Sequence, residues 1–251
     1  NEQYADVPAQ TGDTEQSPTP IISIENLDNY IHDNKVSVKD LYLQISSMGN
    51  EKPDIVEGND LPDFNPDDEY LQEIKSPIFY AVQKNINIQT GQPTILDFDM
   101  QRISQRINIV FNIRTEGNIK REDLAAPIIE LSGACGRFNI ADACLDTTRL
   151  YRMAHQVQPD EFTQTGEGTY RCVVHFHTLG VIPSAAKGHL NGPGILQVAL
   201  QVSTPQLDSS GAPVVDEEGN PVKNSRYIYG AINPYDELTA AQLIEVRDGK
   251  I

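Results

Sequence analysis

The chain has no tryptophan and only three cysteines. Nor does it contain an apolar run near the ~18 residues that a membrane-spanning helix requires. Basic residues are scarce: 19 Lys and Arg stand against 36 Asp and Glu, a formal charge of −17. That balance excludes nucleic acid and an anionic bilayer surface as expected partners, because phosphate binding needs clustered Lys and Arg. Catalytic signatures are missing too: there is no GxSxG elbow, HExxH, P-loop or complete GxGxxG. The nearest approach, Gly166–Glu167–Gly168, runs into a β-pattern instead of opening a helix, which removes the basis for holding a pyrophosphate. An odd cysteine count without a CxxC pair argues against a zinc knuckle or a redox motif. No catalytic residue and no cofactor is expected.

What is present is length, acidity and alternation. A globule of 251 residues buries roughly 70–75% of the surface its unfolded chain exposes, enough core for one large domain or two small ones. Residues 1–75 hold 17 Asp and Glu but only 4 Lys and Arg, a net of −13, whereas residues 76–251 carry −4. Residues 1–20 are polar, proline-containing and without an apolar period, so they read as a disordered tether. No basic start leads into an apolar stretch, and a processed or trimmed secreted protein is expected. The expected division is a tether over 1–20, an acidic segment or small β domain over 21–75, and a β-sandwich over 76–251.

From Pro77 onward the dominant period is two. Ile107, Ile109, Phe111 and Ile113 point one way while Asn108, Asn112 and Arg114 point the other, predicting a strand with one buried and one wet face. Tyr170, Cys172, Val174 and Phe176 form a second apolar stripe opposite Arg171, Val173, His175 and His177. Leu196, Val198, Leu200 and Val202 form a third. Shorter strands are expected at Ile78–Ile88, Thr94–Phe98, Ile128–Ser132, Arg149–Val157 and Arg226–Ile232. Another is expected around Val36 and Val38, slipping parity at Lys39–Asp40 before Leu41, Leu43 and Ile45. Thr90–Gly91–Gln92–Pro93, Thr165–Gly166–Glu167–Gly168 and Gly192–Pro193–Gly194 supply turn chemistry, and Val214–Val222 reads as a hairpin tip. One helix is expected, with Thr239 capping Ala240–Val246. The fold class is therefore all-β, an antiparallel sandwich with one or two sandwich domains.

Side chains offer few chemical candidates. His175 and His177, at i and i+2 on one strand face, are the best metal pair, but two ligands do not make a site and spacing nominates no third. Asp60, Asp63, Asn65, Asp67, Asp68 and Glu69 form an oxygen-rich stretch that lacks the glycine and bidentate Glu of an EF-hand, and it reads as a solvated acidic loop. Cys135 and Cys144 lie nine residues apart, and a bridge stays open because spacing does not establish the Cα separation. Cys172 reads as a small buried hydrophobe. Tyr42, Tyr227 and Tyr229 are the aromatics available for a sugar platform, although aromatics on alternating strands more often build cores.

The order of elements carries a resemblance. FYAVQKNINIQ (Phe79–Gln89) leads to TILDFDMQRISQRINIVFNI, then IIELSGACGRFNI, TYRCVVHFHTLGV, GILQVALQVS and a closing LIEVRDGKI. With Met100–Gln101–Arg102 entering a long apolar strand, and later strands ending at Ser132–Gly133 and Leu179–Gly180, this resembles the fimbrillin-like surface lipoproteins of Bacteroidales. The resemblance implies a transthyretin-like or Greek-key sandwich on the outer face of the outer membrane, anchored by a lipidated cysteine upstream of Asn1. It also implies a non-enzymatic role in adhesion or fimbrial assembly, with other fimbrial subunits joined by strand addition at a sheet edge, or with a host or bacterial surface ligand. A glycan- or ligand-binding sandwich is the alternative, and a hydrolase or metal enzyme the third reading.

Overall fold

The computed structural model describes residues 22–32, 37–50, 68–83, 85–117, 119–158 and 160–240. Over these the chain is almost entirely strand. In order they are β1 (Ile22–Glu25), β2 (Tyr42–Ile45), β3 (Ser47–Gly49), β4 (Glu69–Leu71), β5 (Phe79–Tyr80), β6 (Gln101–Arg102) and β7 (Gln105–Arg114). They continue with β8 (Ile128–Asn139), β9 (Cys144–Gln156), β10 (Phe162–Gly166), β11 (Thr169–Thr178), β12 (Leu196–Pro205) and β13 (Lys223–Ile232). Two short helices, α1 (Leu27–His32) and α2 (Tyr235–Ala240), lie outside the layers' strands.

The strands stack as an all-β sandwich. Eight belong to one sheet, and β10–β11–β7 form the facing three-stranded layer. The hub is β8, whose sequence IIELSGACGRFN is apolar on both parities and buried along nearly its whole length. It pairs with β9 on one edge. On the other it meets β12 through residues 128–131 and β2 through residues 137–139. The gap between those partners is filled by backbone from residues 180–195: Cys135 N–H donates to the Gly180 carbonyl, and Ser132 N–H to that of Ile195. Gly133 makes this junction possible, with φ +81° and a site where a Cβ would lie 2.6 Å from the Gly194 nitrogen. Ser132–Gly133 is thus a bulge inside β8 and not a strand end. The core lies between the layers, where Ile129, Leu131, Phe138 and Met153 share one cluster with Tyr170, Cys172, Val174 and Phe176.

Several sequence expectations need adjusting. The segment 21–75 contributes β1 to β4 to the same sheet as β8 and β9, and β4 pairs parallel to β9 in an otherwise antiparallel arrangement. Within Ile78–Ile88 only Phe79–Tyr80 pairs, with Gln101–Arg102, and Thr94–Phe98 forms no strand; the two legs carry exposed apolar residues, with Ile88 at 76% and Ile95 at 83%. Alternation there finds no layer to pack against, and an isolated two-stranded ribbon is marginal in water. Val38–Asp40 is a 3-10 turn, not a bulged strand, because Asp40 accepts from Ser37 N–H (3.0 Å) while Ser37 Oγ accepts from Lys39 N–H (3.3 Å). Val36 lies outside the described residues. Helix α2 begins at Tyr235, so Thr239 sits within it; 241–246 lie outside the described residues. Cys135 and Cys144 are both free thiols, standing opposite Leu150 and Asn139 in the β8–β9 hairpin.

Candidate functional site

Strand β7 pairs with β11 over its full ten residues, from Gln105 opposite Thr178 to Arg114 opposite Thr169. Among the described strands it has no partner on its other edge. Its inward residues Ile107, Ile109, Phe111 and Ile113 are consequently only half-buried. Across from them, β12 presents Val198, Leu200 and Val202, and β13 presents Ile228. Among the described strands β13 likewise pairs with β12 alone. Two sheet edges therefore open on the same flank.

Between them runs an apolar groove made of two hollows. One, of about 500 Å³, lies under Phe111 and Ile113. The other, of about 480 Å³, lies under Ile107 and Ile109 and ends at Pro234, Glu237 and Leu238 beside α2. Arg106 borders the second, and Arg114 and Arg226 the first. At roughly 3.4 Å per residue the edge is about 34 Å long, the span of one added strand. Its unpaired backbone groups are a template for such a strand.

The exposed legs between β5 and β6 have the matching pattern. Leu96, Phe98 and Met100 alternate with Asp97, Asp99 and Gln101, and Val82, Ile86 and Ile88 with polar neighbours. All six are exposed. Nothing in sequence periodicity distinguished these unpartnered apolar stripes from those of the core; only burial separates them.

The histidine pair sits as its spacing predicts, on the outward face of β11. His177 Nδ1–H donates to the Ile74 carbonyl (2.9 Å), and His175 Nδ1 bonds Asn108 Oδ1 (2.7 Å). Burial, then Arg106, lowers the His175 pKa against an opposing pull from Glu161. Among the described residues no group of three His, Cys, Asp or Glu is gathered in a way that could hold a metal ion. Of the acidic stretch, Asp60–Asp67 lie outside the described residues. Glu69 is engaged by Ser47 Oγ at 2.5 Å and ion-paired with Arg149. Cys135 and Cys172 are buried, and desolvation pushes both thiols up to about 12, so neither is a nucleophile at neutral pH.

The tyrosines divide. Tyr42 lies beneath the Arg137 guanidinium, 4.2 Å from its ring centroid. Tyr227 and Tyr229 stack at 6.0 Å and 17° on the face of β13 opposite to Ile228. Among the described residues no helix is long and apolar enough to cross a membrane.

No protein-family model and no curated protein sequence matches the chain. Among solved structures, a candidate adhesin from Bacteroides ovatus superposes with a TM-score of 0.44 and 10% identity, covering 93% of this chain and 70% of that one. At that level the likeness transfers neither fold nor role, and the sandwich rests on the strand pairing above.

Proposed function

We propose that this chain is a non-enzymatic surface adhesion or fimbrial-assembly module that joins other subunits by accepting a strand along the free edge of β7. The carrying observation is the ten-residue edge lying over an apolar groove. Strand addition takes affinity from backbone hydrogen bonds and specificity from alternate side-chain pockets. An incoming strand that sets apolar residues at every second position over Leu200 and Val202 would complete the core and extend the three-stranded layer. A second copy of this chain supplies such a strand in Thr94–Arg102, whose acidic outward side chains would lie beside Arg106 and Arg114. The proposed setting is the extracellular face of an outer membrane, with a lipid anchor preceding Asn1 as the membrane's one point of contact.

Sedimentation of the full chain at rising concentration tests the reading. Association is expected for the parent and lost in Ile109→Arg, which places a charge in the groove. It is also expected to be lost in Phe98→Ser, an exposed position whose substitution leaves the fold alone. A chain that stays monomeric at hundreds of micromolar overturns strand exchange between copies.

A second reading, a glycan-binding module, is favoured by the stacked Tyr227–Tyr229 pair, an exposed aromatic surface of the kind neutral sugars pack against. Loss of neutral oligosaccharide binding in Tyr229→Ala is its test.

A further inference from the structure

Of the described arginines, Arg137, Arg149 and Arg152 stand in ion pairs, and Arg102, Arg106, Arg114, Arg121, Arg171 and Arg226 do not. Arg137 bonds Asp146 (2.8 Å) and Glu25, Arg149 pairs with Glu69, and Arg152 lies 3.9 Å from Glu130. Arg106, Arg114 and Arg171 are exposed and form no ion pair among the described residues. In a chain with 36 carboxylates, lack of partners cannot be the reason. All three project from one surface, the outward face of β10–β11–β7.

Register defines that face. Asn112 stands opposite Arg171, Val110 opposite Val173, Asn108 opposite His175, and Arg106 opposite His177. Thr163 lies on the far side of Arg171. No Asp or Glu occurs at any outward position of the three strands. Carboxylates occur at its margins: Glu161, already bound by His155 (2.7 Å) and the Gln158 N–H (2.8 Å), Glu73 next to the Ile74 carbonyl that His177 bonds, and Glu116 and Glu167 in the turns at the opposite end. Burial, then Arg106, His177 and His155 hold the His175 pKa below its ordinary value against the pull of Glu161.

The geometry points to a second binding surface, in which this face takes a short linear acidic glycan whose carboxylate or sulfate groups sit on Arg106, Arg114 and Arg171. From Arg106 to Arg114 the stripe runs roughly 27 Å, and across three strands it is about 10 Å wide. Those dimensions suit an extended oligosaccharide. Guanidinium groups hold carboxylate and sulfate with paired hydrogen bonds, while Asn108, Asn112 and Thr163 supply donors and acceptors for hydroxyls between them. A peptide fits less well: the face has one small apolar contact, Val110 beside Val173, and no pockets for side chains. A bilayer or long nucleic acid would extend past the stripe onto a chain of charge −17 and be repelled. The surface shares Arg106 and Arg114 with the rim of the strand-accepting edge, but an added strand bonds the backbone of β7, and Arg171, on β11, belongs to this face alone.

Titration calorimetry of the full chain with a sulfated hexasaccharide, a neutral hexasaccharide and a hexaglutamate peptide tests the inference. Binding of the sulfated sugar is expected, weakening steeply between low and physiological salt. It should fall at least tenfold in the double variant Arg106→Gln, Arg171→Gln and persist in Tyr229→Ala. Equal affinity of the double variant, or equal binding of the neutral sugar, overturns the proposal. Hexaglutamate binding as tightly as the sugar overturns it in favour of an acidic peptide. Loss in Tyr229→Ala overturns it in favour of the tyrosine pair.

Discussion

Strands β7 and β11 are neighbours with the same length and the same alternation, yet their apolar faces end in different states. In β11, Val174 is 0% exposed and Phe176 2%, because the strand has β10 on one side, β7 on the other and the large sheet beneath. In β7 the equivalent residues are half-buried, because one flank is open. Burial is set by the number of neighbours as much as by the pattern. The unfinished strand leaves apolar surface in contact with water, and covering it would gain about 25 cal/mol per Å².

Substitutions in the two strands sharpen that comparison. Phe176→Ala is expected to cost about 3–5 kcal/mol in denaturant unfolding, as a buried ring leaves a cavity enclosed on all sides. Gly133→Ala should come next, at about 2–3 kcal/mol, since the added methyl collides with the Gly194 backbone at a left-handed φ and the 180–195 segment cannot retreat without breaking its bonds to β8. Ile109→Ala in β7 should cost only about 1–2 kcal/mol, its surroundings being open. If Ile109→Ala proves as costly as Phe176→Ala, the groove is not open in solution and the contrast fails.

The smallest expected effect is electrostatic. Burial alone would raise the Glu161 pKa, but the Gln158 N–H and His155 outweigh it and hold the carboxyl below its ordinary range. A depressed carboxylate contributes stability above its unfolded pKa and loses it as pH falls through the folded value. Unfolding followed from pH 6 down to 3 should therefore show a smaller loss in Glu161→Gln than in the parent. Identical slopes would mean that Glu161 does not tie the β10 layer to His155.

Legibility from sequence followed the same division. Strand-rich architecture, the inward stripes of β7, β11 and β12, and the shared face of His175 and His177 could all be read from a period of two. The length of β8 could not, because Gly133 breaks the alternation while neighbouring backbone keeps the strand paired. Nor could the exposed state of Leu96, Phe98 and Met100, whose alternation looks like that of a buried strand. Nor could the surface position of Tyr227 and Tyr229, which as aromatics on an alternating strand read more as core until β13 was placed at a sheet edge.

By itself the amino-acid order determined sidedness: which residues of each strand share a face, where turns interrupt them, and how unevenly charge is spread. Only tertiary structure decided which faces are covered, which edge lacks a neighbour, and that Arg106, Arg114 and Arg171 share the outward face of one layer. Side-chain parity is a local property of an extended backbone, whereas coverage depends on which distant strands arrive beside it, and that is settled by packing the whole chain at once.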